Sequence, residues 1–447
     1  MSTVELIRAQ LQPRLRLPLA FCVLAMGFVA PVAFAQRNGF EQPPIDYLNA
    51  PVNDPVAQLA ARIEGGDTEL EYDDQFGYLK SVLKALDVPV SSQMLVFSKT
   101  SLQLHRISPR LPRALYFNDD VYVGFCQRGE VLEFAVTDPK QGAMFYTLKQ
   151  SKVETPTFVR DRGGCLTCHA SSRTQNVPGY LVRSVYADGA GRPMLGSGTF
   201  TTDHTSDFHE RWGGWYVTGT HGSMRHMGNQ ICTDDEYKFD RDKGANQTSL
   251  DQHFRTKSYL SPHSDIVALM VLEHQTQMHN AIAAANYETR QALHQSYQMN
   301  ELLEREPDHV SESAQRRIKS AADNVVEYLL MSGEFQLTDP VAGSTEFADD
   351  FRARGKEDSR RRSLREFDLQ TRLFKYPCSY LIHSAAFDAL PKLSRDHIMT
   401  QLAAILSGDA TDPDADDRFN HLTRQMRSDI REILLATKPS FKKYVSP

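Results

Sequence analysis

Apolar positions recur along this chain with two different periods, and the switch between them divides it. Val56, Leu59, Ala60 and Ile63 keep helical spacing, as do the apolar positions of 76–86. Gly65-Gly66 and Pro89 close these two runs. From Met94 the period falls to two. Segments 94–97, 114–117, 121–125, 131–136 and 143–148 are strand candidates, with Asn118-Asp119-Asp120 and Gln127-Arg128-Gly129-Glu130 as turns between them. This pattern predicts an antiparallel meander. Segments 179–186 and 193–202, joined by Asp188-Gly189-Ala190-Gly191, predict a further hairpin.

The helical period returns at Ser264 and holds through 265–297 with few breakers. On a wheel centred on His274, the residues Val267, Met270, Val271, Met278 and Ala281 all fall within about 60°. His274 thus stands in an apolar stripe, where a polar ring needs a partner. His279 projects about 140° away from it. Further helices are expected over 312–331, 363–376, 380–390, 395–406 and 417–436, punctuated by Pro391 and Gly408. The fold class expected is α+β, with an antiparallel strand-rich N-terminal half and an all-helical C-terminal half. The divisions expected are a leader at 1–35, a helical lead at 36–92, a strand-rich domain at 93–262 and a helical domain at 263–447.

The leader changes the picture of where the chain works. Arg8, Arg14 and Arg16 precede an almost wholly apolar run, LPLAFCVLAMGFVA, and Ala33-Phe34-Ala35 supplies a small-x-small cleavage site before Gln36. This is the pattern of a secretory signal and implies a periplasmic protein; the other reading of the run is an uncleaved anchor. No later stretch is apolar enough to span a membrane. Hydrophobic residues make up 41% and charged residues 24%, and the mean hydropathy of -0.44 fits a folded, non-integral chain. The net charge is -6; cleavage after residue 35 takes three arginines and one glutamate, leaving 47 basic against 55 acidic residues. That acidic balance argues against nucleic acid as a partner. It suits docking to a basic redox partner protein.

The chemistry concentrates in Cys165-Leu166-Thr167-Cys168-His169. Two thiols at i and i+3 share one face of a helical turn, and an imidazole follows directly. A Cys-x-x-Cys pair alone also serves as a redox couple or half a zinc site. Here the adjacent histidine, the lack of a second such pair and the export signal all favour haem. Of the other cysteines, Cys22 lies in the leader; Cys126, Cys232 and Cys378, an odd number, allow one disulfide whose pairing the sequence leaves open, with buried free thiols the favoured reading.

The five-residue motif resembles the haem-attachment site of c-type cytochromes, and its setting resembles exported bacterial proteins with a single haem. By that resemblance Cys165 and Cys168 carry the thioethers of one covalently attached haem c, and His169 is the proximal iron ligand. His274 is the candidate distal ligand, with Met227, His226 and His221 as rivals and an open sixth position as the alternative. The segment 203–232 adds Trp212, Trp215, His204 and His209, aromatic and polar groups suited to a porphyrin wall or to a core. Arg360-Arg361-Arg362 and Arg365 are candidates for the haem propionates or a solvated helix start. Electron transfer is the activity expected. A haem enzyme with an open distal site, acting on peroxide or a small nitrogen or sulfur species, comes next, and a gas sensor last. About 280 residues follow the motif, more than a passive carrier needs.

Overall fold

The strand-forming segments assemble into one antiparallel sheet. Its strands are β1 (Met94–Val96), β2 (Arg113–Phe117), β3 (Val121–Phe125), β4 (Val131–Asp138), β5 (Gly142–Lys149), β6 (Phe158–Arg160) and the later β9 (Trp215–Tyr216). Their order is β6-β5-β4-β3-β2-β1-β9. The computed structural model describes residues 39–232, 240–408 and 417–445, so the leader expected at 1–35 lies outside the described residues. Side-chain turns set the meander. Asn118 Oδ1 accepts from the backbone of Asp120 and Val121 at 3.1 and 2.9 Å, turning β2 into β3. Asp138 Oδ1 does the same for Lys140 and Gln141 between β4 and β5, at 2.8 Å each. A separate ribbon pairs β7 (Arg183–Val185) with β8 (Thr199–Thr201); it keeps only the centre of the hairpin expected at 179–202.

Short helices flank the sheet: α1 (Pro55–Glu64), α2 (Leu79–Ala85), α3 (Leu166–His169), which carries the cysteine motif, and α4 (Arg241–Gly244). The dominant helix is α5 (Ile266–Leu302), 37 residues long. Asp265 caps it, Oδ1 accepting from Val267 and Ala268, while its Oδ2 holds the backbone of Ser344 and Thr345. Every residue from Ile266 to Ala283 is buried, because α5 packs on the sheet at β5 and on α6 (Glu312–Leu329). A helix covered all round needs no polar face. Its buried polar groups are instead paired one by one, as Arg211 with Glu273 at 3.1 Å.

The helical second half continues with α7 (Phe347–Ala353), α8 (Ala385–Asp388), α9 (Lys392–Ser407) and a C-terminal helix Arg424–Thr437. The chain is therefore α+β, with the sheet in the N-terminal half and most helices in the C-terminal half. Two expectations fail here. Segment 363–376 is not a helix: Asp368 Oδ1 accepts from Gln370 and Thr371, and Phe367 pairs with Phe374 as a β-bridge. Leu369 sits at φ 54, a left-handed conformation that breaks any helix. Segment 380–390 is a 3₁₀ turn, Tyr380–His383, followed by the one-turn α8. Among the described residues no helix is long and apolar enough to cross a membrane.

Candidate functional site

The motif is delivered by the last strand of the meander. After β6, Asp161 Oδ2 accepts from the backbone of Gly163 and Cys165 at 2.9 and 3.0 Å. This closes a turn at Gly163, whose φ of 128 favours glycine, and starts α3. Within α3 the backbone N–H of His169 donates to Cys165 O at 3.0 Å, so both cysteines and the histidine occupy one turn. Cys165 is half-buried and Cys168 exposed. Burial pushes the Cys165 thiol up to about 12, with Asp161 adding to it. No described cysteine is in a disulfide, and Cys126, Cys232 and Cys378 are buried free thiols.

His169 is held by a reciprocal pair of bonds to one residue. Its carbonyl accepts from Gly179 N at 2.8 Å, and its Nδ1 lies 3.0 Å from Gly179 O. A carbonyl only accepts, so Nδ1 carries the hydrogen and Nε2 keeps its lone pair. Burial holds the ring below the ordinary histidine value, hence neutral. Among the described residues Nε2 has no hydrogen-bond partner. Gly179 is fixed in turn by Asn280 of α5. Asn280 Oδ1 accepts from Tyr180 N and its Nδ2 donates to Tyr180 O, each at 2.8 Å. A Cβ on Gly179 would stand 2.3 Å from Asn280 Oδ1. The long helix thereby sets the tautomer of the motif histidine, through one amide and one loop.

His169, Cys168 and Thr167 form one wall of a cleft. It holds about 1180 Å³ of atom-free space counted out to its open mouth. Strand alternation supplies a second wall. Met94 pairs with Leu115, Val96 with Arg113 and Val96 with Trp215, so these five side chains share one face of the sheet; all five line the cleft. Leu272 and Thr276 of α5 join them, as do Tyr122 and Tyr180. Arg113, Arg173 and Arg183 line it too, and no carboxylate does. Arg113 lies over Gly124, where a Cβ would meet its guanidinium at 2.4 Å, and pairs with Glu133 at 2.7 Å. Arg183 donates to Thr199 Oγ1 at 3.1 Å and leaves Nε buried without a partner. A cleft with a mixed apolar and cationic lining fits a flat apolar ring with carboxylate arms, and the free Nε2 of His169 fits its iron.

The structure does not bring His274 to this cleft. Leu272 and Thr276 face the cleft, and His274 lies about 160–200° from them around α5. Both of its nitrogens are engaged, Nδ1 at 3.3 Å from His204 Nδ1 and Nε2 at 2.8 Å from Ser379 Oγ. The apolar stripe seen in the sequence is a fully buried helix, not a crevice edge. His221, His226 and Met227 sit elsewhere as well. His226 packs on Trp212 and His221 at 5.2 and 4.8 Å between ring centres, and Met227 Sδ accepts from Ser184 Oγ at 3.6 Å. The arginines at 360–362 are taken up locally and by the C-terminal helix: Arg361 pairs with Glu357 at 3.4 Å, Arg360 with Glu432 at 3.1 Å, and Arg362 with Asp358, Asp429 and Glu432 at 2.7, 2.6 and 2.6 Å. Among the described residues no group of three or more His, Cys, Asp or Glu side chains gathers as a bare metal ion requires; a haem iron needs one protein ligand beside the macrocycle.

Sequence reading missed Gly179, Asn280, Arg113 and Arg183. The dipeptide Pro178-Gly179 shortly after the motif was the available signal for the first. One further contact set crosses α5. Gln275 Nε2 donates to Asn118 O at 2.8 Å and to Tyr122 Oη at 2.7 Å, while Tyr380 Oη donates to Gln275 Oε1. No protein-family model, curated protein or solved structure matches the chain.

Proposed function

We propose that this chain is an exported, periplasmic c-type cytochrome with one covalent haem and that it exchanges electrons with a protein partner. The observation that carries the reading is His169: Nδ1–H is committed to Gly179 O, and Nε2 has no partner where the ring lines an open cleft rich in arginine. Metal-ligating histidines commonly donate their other ring nitrogen to a backbone carbonyl, which fixes the ring and raises its basicity. Cys165 and Cys168 would form the two thioethers. Arg173 and Arg183 would face the propionates, and Met94, Val96, Leu115 and Trp215 would cover the ring. The haem supplies one-electron exchange at iron. The chain's own part is to hold the ring rigidly, exclude water from one face and present positive charge to its carboxylates.

A second reading rests on the lining itself. His169 is the one imidazole lining the cleft, and Met94 the one thioether. Relay alone is best served by a sixth ligand from Met94; without it the sixth position is open to a small molecule, as a haem enzyme requires. Protein matured in the periplasm of a host with haem-attachment machinery tests both. Its intact mass is expected to exceed the chain by one haem, and Cys165→Ser/Cys168→Ser is expected to remove that addition. A colourless product of unmodified mass overturns the proposal. Carbon monoxide that leaves the reduced spectrum unchanged supports relay, and a ready shift supports the open site.

A further inference from the structure

A second cavity lies apart from the cleft at His169 and shares none of its lining residues. It holds about 590 Å³ of atom-free space out to its mouth. Its walls come from the β2–β3 turn, the loop after α7, the irregular segment after that loop and the Tyr380–His383 turn. Arg354, Lys356 and Arg365 bring positive charge to it, and Asp119 and Asp120 bring negative.

Arg365 is the telling member. It is 6% exposed, and its guanidinium carbon lies 4.6 Å from the ring centre of Phe351 and 4.3 Å from that of Tyr380, two rings that themselves meet edge to face. Nη2 is ion-paired with Asp119. Nη1 is buried and has no partner. A guanidinium nitrogen is rarely left so, because desolvating a charged donor without replacing its hydrogen bond is costly. His383, on the same wall, also buries Nδ1 without a partner. Lys356 stands exposed at the rim, and Arg354 reaches Asp87 across 3.5 Å. Asp119 is matched by Arg365, and burial together with Asp119 raises the Asp120 carboxyl to about 7, which leaves it about half protonated at neutral pH and the Lys356 charge without an acidic partner on the cavity wall.

We infer that this cavity is a binding site for a small oxyanion of phosphate size, received by Arg365 Nη1 with Arg354 and Lys356 closing over it. A planar guanidinium held in place by two aromatic contacts and an ion pair to Asp119 is the group best formed for that contact. The site is independent of the haem reading, since no residue of the motif or its cleft takes part.

Calorimetric titration of the full-length protein with inorganic phosphate tests it, with thermal melting of the same samples alongside. Saturable binding with one site is expected, together with a melting temperature that rises with phosphate. Lys356→Glu, at an exposed position, is expected to weaken binding roughly tenfold or more by setting a like charge beside the anion, with the phosphate-free melting temperature unchanged. Arg365→Gln is expected to abolish binding. Arg183→Gln, in the other cleft, is expected to leave it intact. Absence of saturable binding overturns the inference. So does binding that survives Lys356→Glu and is lost in Arg183→Gln, which would place the anion in the cleft at His169.

Discussion

Asn280→Ala is expected to damage the motif from the far side of the loop it supports. The side chain makes two 2.8 Å bonds to the backbone of Tyr180, one as acceptor and one as donor. Its removal strands a buried N–H and a buried C=O. Each stranded group costs about 1–3 kcal/mol, and water entering the small space left by the amide recovers part, so a loss of about 2–4 kcal/mol is expected. The same change frees the neighbouring Gly179, whose carbonyl fixes His169 Nδ1. Urea denaturation of wild type and variant measures the first effect. The second is read as the fraction of purified protein that carries haem, which is expected to fall. Asn280→Asp keeps the acceptor and loses the donor, so it is expected to lie between the two. A variant within about 0.5 kcal/mol of wild type, the range of ordinary surface substitutions, and with full haem content would refute the chain of support drawn from α5 to His169.

Arg211→Met is expected to destabilise by about 3–5 kcal/mol because Glu273 stays buried and uncompensated, and Arg211→Met/Glu273→Met to recover most of that; a double variant no better than the single refutes the pairing. If the proposed haem is attached, His274→Gln is expected to leave its spectrum unchanged, since His274 meets His204 and Ser379; a change from low to high spin would instead place His274 at the iron. Burial lowers the His279 ring to about 4, against about 6.5 when unfolded. The folded ring thus refuses a proton that the unfolded chain accepts, and its share of stability is lost as pH falls through that window, by about 1.4 kcal/mol per pH unit at most. Glu273, raised by burial to about 7, works in the opposite sense, so the comparison must be between variants. His279→Gln is expected to flatten the slope of urea stability against pH by that amount between about pH 6.5 and 4, and an unchanged slope counts against a neutral His279.

The meander was legible because each of its turns is local. Asn118 and Asp138 bend the chain with their own side chains, and the strands between them alternate or run apolar. Its two outer strands were not. β6 is three residues long, and β9 pairs with β1 across more than a hundred residues, so no local period announces either. Segment 363–376 misled because Leu364, Phe367 and Phe374 fall at helical spacing while Asp368 and Leu369 impose a turn. His274 misled for a related reason. A stripe of apolar residues marks burial, and burial inside a helix layer looks the same in sequence as burial against a cofactor. The motif itself needed no tertiary knowledge. Its supports did: the partner of His169 is Gly179, and the partner of that loop lies a hundred residues on.

The amide of Gln275 can face only one way. Its nitrogen must point to Asn118 O, a group that never donates, and its second hydrogen then goes to Tyr122 Oη. Tyr122 is consequently forced into the accepting role on that side and keeps its own hydroxyl hydrogen free to be donated elsewhere. Exchanging nitrogen for oxygen there, as Gln275→Glu would do, reverses the polarity of that string and turns the tyrosine's hydrogen back toward the helix.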